Sequence, residues 1–205
     1  GAGPPLALAG FEPAYPLATY TADEVIVAEP DPLPGDRFRP LARAVTAGVD
    51  ARADTLGAEA LAASVAHWAE RSGGRVCAVE VHGDLDDAVG ALRGPDARVL
   101  GIDAAAVLGR WAWAAASGGA HGPRRGGAAA RFELWWALAV LGECTEPWPP
   151  EASELDELVD ELDWALWLPV RAADTSGWQL RIAVADPVEG RSYALEAVDQ
   201  NLSGS

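Results

Sequence analysis

The run Gly118-Gly119-Ala120-His121-Gly122-Pro123-Arg124-Arg125-Gly126-Gly127 gathers glycines, a histidine and two arginines between two tryptophan-bearing helical segments. Glycine lets backbone approach a ligand closely. Ala128 then opens a helix whose first amides and positive dipole end favour an anion, and Arg124 and Arg125 can add forked, charge-assisted contacts. A phosphate, carboxylate or sulfate group fits this chemistry, with Gly119, His121, Gly122, Arg124, Arg125, Gly126 and Gly127 as its contacts. The opposing expectation is that Arg124, Arg125 and Arg131 neutralise neighbouring carboxylates while the glycines permit a tight connection.

A second constellation is Glu80, His82 and Asp84, joined by Asp103 from the next strand. Two residues apart in a strand, Glu80 and His82 share a face and can serve as orienting carboxylate and general base. Ligands of open α/β sheets collect outside the carboxyl ends of strands, where these residues would lie. Asp84 and Asp103 are also sufficiently explained as helix N-caps. His67, His82 and His121 lack His-x-x-x-His or His-x-His spacing, so no metal site is expected. No Gly-x-Ser-x-Gly elbow, Gly-x-x-x-x-Gly-Lys loop or strand-linked Gly-x-Gly-x-x-Gly occurs, and no cofactor is expected.

The elements that must position these groups are those of a chain able to bury a core: 205 residues, 50% of them hydrophobic. We expect one domain over 1–205, preceded by a Gly/Ala/Pro-rich arm at 1–14 that is flexible. All 15 basic residues are Arg against 31 acidic ones, for a formal net charge of −16. Such a surface repels phosphate backbones and anionic membranes, so neither nucleic acid nor membrane is an expected partner. The absence of Lys excludes Schiff-base and Walker-type lysines. Cys77 and Cys144 read as structural thiols. No apolar run approaches the ~20 residues of a membrane span, and Gly1–Gly10 lacks the basic start of a signal peptide. A cytoplasmic location is expected.

Tyr15–Tyr20 and Glu24–Glu29 suggest a hairpin ended by Pro30, Pro32 and Pro34. Two helical segments follow; in the second, Leu61, Val65 and Trp68 form one buried stripe, and Ser72-Gly73-Gly74 stops it. Arg75–His82 alternates as a strand, with Cys77, Val79 and Val81 on one face. Asp84 with Asp87 reads as a capping box for a helix to about Arg93. A strand at Arg98–Ile102 leads to Asp103 as cap of the helix Ala104–Ser117, so strand, helix, strand, helix predicts a βαβ unit with parallel pairing.

The helix 128–142 is apolar nearly all round, as if packed on several sides. Glu154–Asp163 reads as an acidic helix. Trp164–Val170, Trp178–Ala185 and Arg191–Val198 predict an antiparallel meander over 164–198, with turn residues at 174–177 and 186–190. The fold class is therefore α/β or α+β, with a βαβ-containing N-terminal portion, a central helix pair and a C-terminal antiparallel β-meander. Most of the nine tryptophans suit core positions; Trp113, Trp148 and Trp167 are the ones that suit a groove or partner surface.

The run from Trp111 through Gly127 to Trp135-Trp136, with Gly177 to Pro187, resembles a family of actinobacterial proteins known only as a domain of unknown function. The resemblance covers the second half of the chain. It implies an actinobacterial cytoplasmic protein and brings no activity with it.

Three functions are compatible with these residues. One is a non-enzymatic binding protein whose Gly/Arg-rich loop recognises an anionic small molecule or an acidic segment of a protein partner. Another is an enzyme on an anionic substrate, with Arg124 and Arg125 as clamp and His121 or His82 as acid/base. The third is an acidic immunity or inhibitor protein covering a basic target. Convergence of the loop with Glu80, His82 or Asp103 on one pocket would favour the enzyme.

Overall fold

The computed structural model describes residues 3–17, 19–20, 25–26, 35–42, 50–170 and 178–199. It is an α+β structure. A short antiparallel pair, β1 (Thr19–Tyr20) with β2 (Val25–Ile26), matches the expected hairpin, whose turn lies outside the described residues. The first expected helical segment meets residues 43–49, also outside them. The second is broken at Ala66 into α1 (Leu56–Val65) and α2 (His67–Ser72). Its stripe of Leu61, Val65 and Trp68 is fully buried. Gly73 ends α2 at φ +82°, a left-handed conformation in which a Cβ is strained.

Strand β4 (Arg75–His82) and helix α3 (Leu85–Arg93) follow, the latter with the expected capping box: Asp84 accepts the Asp86 and Asp87 amides while Asp87 accepts that of Asp84. Then come β5 (Ala97–Gly101) and α4 (Ala104–Ala116), capped by Asp103 through the Ala106 amide at 2.9 Å. Helices α5 (Gly127–Leu141) and α6 (Ala152–Glu161) lead into β6 (Asp163–Pro169), β7 (Trp178–Asp186) and β8 (Arg191–Asp199).

The main sheet has six strands in the order β3-β5-β6-β7-β8-β4, where β3 is Arg39–Pro40, and every pairing is antiparallel. The expected meander β6-β7-β8 forms its centre. Parallel pairing of β4 with β5 is the expectation that fails. The two strands do run in the same direction with α3 between them, but the meander is inserted between them. Strand–helix–strand spacing sets direction and crossover without setting how many strands intervene. Here α3 lies across the sheet from β4 to β5, and three strands apolar on both faces fill the gap beneath it.

Leu180, Ile182, Val184 and Leu195 face α1, α4 and α5 in the larger core; Ala183, Ala194, Val99 and Trp167 face α3 in the smaller. Trp113 and Trp167 are core residues, so they do not line a groove. The central helix pair α4–α5 is packed as expected. Helix α5 is less enclosed than its composition implies: Phe132 and Trp136, one turn apart, are exposed and lean on the half-buried Trp148 with ring centroids 5.6 and 5.3 Å apart.

Candidate binding cavity at the start of α5

The glycine-rich loop spends its backbone donors inside the protein. Ala120 N–H reaches Asp199 Oδ2 at 2.5 Å. The His121 and Gly122 amides donate to Ser72 Oγ at 2.6 and 3.1 Å, and those of Arg125 and Gly126 to the Ala116 carbonyl at 3.0 and 2.9 Å. The glycines are needed for this closeness: a Cβ on Gly118 would sit 2.0 Å from the Gly122 carbonyl oxygen, and one on Gly119 would sit 2.3 Å from Asp199 Oδ2. Arg125 is also engaged internally, 2.7 Å from Glu133 Oε1 and 3.3 Å from His67 Nδ1. The His121, Gly122, Arg125 and Gly126 amides are therefore committed to Ser72 Oγ and the Ala116 carbonyl rather than open to a free anion, and the Ala120 amide is taken by Asp199. The His121 side chain is exposed.

His67 shows how tightly the loop base is set. Its ring is 6% exposed, with Nε2 2.7 Å from the Ser117 carbonyl and Nδ1 facing Arg125. A carbonyl requires a donor and a guanidinium an acceptor, which assigns the neutral tautomer protonated on Nε2. Burial, and secondarily the charge of Arg125, hold its pKa below the ordinary value, against the Ser117 hydrogen bond.

The second constellation does not assemble. Glu80 and His82 lie near one end of β4, and Asp103 follows β5, four strand spacings away, or about 19 Å. The loop meets Ser72 and Asp199 near the opposite end of β4, about 24 Å along the strand from His82. Glu80 instead hydrogen-bonds Tyr193, whose phenol is pushed up to about 12 by burial and then by the Glu80 charge. Asp84 and Asp103 act as caps. Among the described residues no group of His, Cys, Asp and Glu is arranged to hold a metal ion, and no helix is long and apolar enough to cross a membrane. Cys77 and Cys144 are free and half-buried.

A cavity forms where α5 begins. Residues 3–17, which include most of the expected arm, are tied across the helices. Arg131 Nε and Nη2 donate to the two Glu12 carboxylate oxygens at 2.5 and 2.6 Å, and Arg131 also donates to the Pro5 and Ala7 carbonyls. Glu12 accepts the Trp135 indole N–H at 3.0 Å, and Phe11 N–H donates to Asp156 at 2.7 Å. Burial resists ionisation of Glu12, but these donors outweigh it and lower its pKa.

Between this segment and α4/α5 lies a space of about 370 Å³, walled mostly by apolar residues such as Leu8, Pro13, Tyr15, Ala112, Leu134 and Trp135, with the ion-paired Glu12 and Arg131 also on its lining and Gly127 and Ala128 of α5 at its edge. Gly126 precedes α5 without a capping side chain, so no side chain satisfies the first-turn amides of the helix whose Gly127 and Ala128 line this space. Arg124 is exposed close by, near enough to Tyr15 to oppose the rise in its phenol pKa that burial and Glu12 cause. Of the anticipated ligand residues, Gly127 lines the cavity and Arg124 stands beside it. The walls from Leu8 to Tyr15 carry no chemical motif, Glu12 being the one charged residue among small, aliphatic, proline and aromatic neighbours, and are legible only once Glu12 is seen paired with Arg131.

A volume of a few hundred Å³, apolar walls and a few converging polar groups are the attributes of a small-molecule site on an α+β scaffold. The chain belongs to DUF6183, a family of unknown function, whose profile matches residues 3–201. That span is wider than the second half in which the resemblance was seen. The chain matches no curated protein and no solved structure.

Proposed function

We propose that the protein is a cytoplasmic, non-enzymatic binding protein for a small amphipathic anion, held apolar end inward in the cavity at the start of α5. The observation that carries this reading is the coincidence of an apolar space of about 370 Å³ with the uncapped first turn of a 15-residue helix. Trp135, Leu134 and Ala112 supply apolar contact, while the helix N-terminus and Arg124 supply attraction for a carboxylate or phosphate head. The enzyme reading has no comparable support, since its acid/base candidates are dispersed.

Trp135 is on the wall, so occupancy changes its share of the emission of the nine tryptophans. Octanoate and octyl phosphate should quench or shift it saturably, 1-octanol and acetate more weakly, and Arg124→Gln should weaken the two anions while leaving 1-octanol unchanged. Sodium chloride at matched ionic strength controls for screening of the acidic surface. Identical responses to all four compounds, or to none, would dismiss the proposal.

A further inference from the structure

β4 is an end strand of the sheet, and its outer side is only partly used. Glu80 exchanges both backbone hydrogen bonds with Arg52 there, at 2.8 and 2.9 Å. In an antiparallel strand alternate residues direct N–H and C=O to the same side, so Val76 and Ala78 turn theirs outward as Glu80 does. Among the described residues nothing pairs with them. A groove of about 660 Å³ follows this edge, with small residues of α1 and α2 such as Ala62, Ala66 and Ala69 on one flank and Leu92 of α3 on the other. Arg52 interrupts this edge at Glu80 and the Ala78 side chain is buried toward α1, but an unpaired stretch of strand backbone still invites another strand.

The charges on the two flanks differ in sign. On the α1/α2 side the groove is lined by the exposed Glu59 and Glu70. On the α3 side three guanidiniums converge on the buried Glu196: Arg75 at 2.8 Å, Arg181 at 3.0 Å and Arg93 at 3.8 Å. One carboxylate cannot balance three cations, and the Arg75 and Arg93 side chains keep 59% and 36% of their surface exposed. A strand laid on β4 would therefore meet acid on one face and base on the other.

We propose that the β4 edge takes up an extended segment of a partner protein, pairing with Val76 and Ala78, with basic or small side chains toward α1/α2 and acidic ones toward α3. Side chains of a strand alternate between faces, so such a segment alternates in charge along its sequence. A second copy of this chain is the weaker occupant. Antiparallel pairing of β4 with itself about a two-fold axis keeps each face on its own side, bringing Glu59 and Glu70 against their equivalents and Arg75 and Arg93 against theirs; the net charge of −16 adds to that repulsion. The site lies apart from the cavity at α5 and does not depend on its occupancy.

The probe is a fluorescein-labelled, end-capped peptide of about eight residues with Val and Lys alternating at odd positions and Glu and Thr at even ones. Fluorescence polarisation should show saturable binding to the full chain. Ala78→Pro should weaken it about tenfold or more, since it removes an outward N–H. Proline is tolerable at that position because the lost donor faces away from β8, and an unchanged melting temperature checks the fold. Should that variant unfold, the same peptide N-methylated at alternate residues tests the ladder on the wild-type protein: one of the two alternating versions must lose binding. Glu59→Gln/Glu70→Gln and Arg93→Gln should each weaken the parent peptide without abolishing it. No binding by the parent peptide, binding indifferent to both Ala78→Pro and N-methylation, or a concentration-dependent dimer that the peptide disperses would overturn the proposal, the last in favour of a second copy.

Discussion

Asp199, the last residue of β8, and Ala120 in the glycine-rich loop are joined by a hydrogen bond of 2.5 Å from the Ala120 amide to the carboxylate. The loop thus does recognise an anion, and that anion is part of the chain. The donors and glycines that suggested a ligand site instead fasten the α4–α5 connection to the end of the sheet. The reason is local: Asp199 is 1% exposed, and a buried carboxylate without donors is far costlier than one given an amide.

Asp199→Ala should vacate that position. Stability is expected to fall by roughly 1–3 kcal/mol for the Ala120 amide left without its acceptor, lowering the melting temperature. Acetate or formate should then restore part of the loss in the variant and have no such effect on the wild type, because a ligand bound only by the native state stabilises it. Equal response of both proteins, measured against chloride at the same ionic strength, would mean the Ala120 amide does not hold the carboxylate.

Gly119→Ala tests the same contact from the other side. Gly119 has φ +70°, and its new Cβ would lie 2.3 Å from Asp199 Oδ2. The left-handed conformation alone costs about 1–2 kcal/mol, and the collision adds to it. Gly73→Ala, at φ +82° and ψ 11° in the left-handed region with open space around it, should carry the conformational cost without the collision and melt at the higher temperature of the two. Indistinguishable melting curves would remove Asp199 from the explanation.

His67 should impose a pH dependence near neutrality. Its pKa is lowered on folding, chiefly by burial, so the unfolded chain binds the proton more readily. Stability from this group is fully present above its unfolded pKa of about 6.5 and is lost as pH falls below it. Glu12 and Asp86 are also lowered, but as carboxylates they lose their contribution only in the more acidic range below their unfolded values. Melting curves between pH 7.5 and 5.5, pH values taken as about one unit either side of that midpoint, should decline for the wild type and flatten in His67→Gln. A wild-type curve already flat there would show that the ring is protonated in the folded state or not buried.

Elements were readable in this chain where one local signal decides them. Asp84 with Asp87, Asp103, and the alternation of Trp178 to Val184 each state a cap or a strand in a few residues, and each stands in the structure. Pairing was not readable, because the partner of Val79 is Ala194, more than a hundred residues away, and no local pattern encodes that choice. The loop misled for a different reason. Glycines and amides around an internal carboxylate look the same in sequence as glycines and amides around a phosphate, and only Asp199 arriving from the end of β8 separates them. The cavity escaped notice because its walls include an arm that composition alone marks as loose.

Trp135→Ala should be primarily a folding defect. The side chain is fully buried, packs on Phe11 with centroids 5.5 Å apart, and donates to Glu12. Truncating such a tryptophan costs about 3–5 kcal/mol, and the loss should release the segment around Phe11 and Glu12. Protease sensitivity between residues 3 and 17 is the measurement. Cleavage there no faster than in the wild type, with the melting temperature unchanged, would show that Trp135 does not anchor the segment.

Glu196 should matter more than its partners. It is 2% exposed and is the shared counter-charge for Arg75, Arg181 and Arg93. Arg181 is itself largely buried: burial lowers its pKa, Glu196 opposes that, and the charges of Arg93 and Arg75 add to the lowering. Removing one partner of a buried ion pair strands the other and typically costs about 3–5 kcal/mol, whereas replacing both by apolar groups is often neutral. Glu196→Leu is therefore expected to be strongly destabilised, and Glu196→Leu/Arg181→Met to recover much of the loss despite carrying one more substitution. Denaturant titration of the two single variants and the double variant gives the coupling directly. Additive losses would mean that Arg181 and Glu196 do not act as a pair, and that the sheet face beneath α3 is held by packing around Trp167 instead.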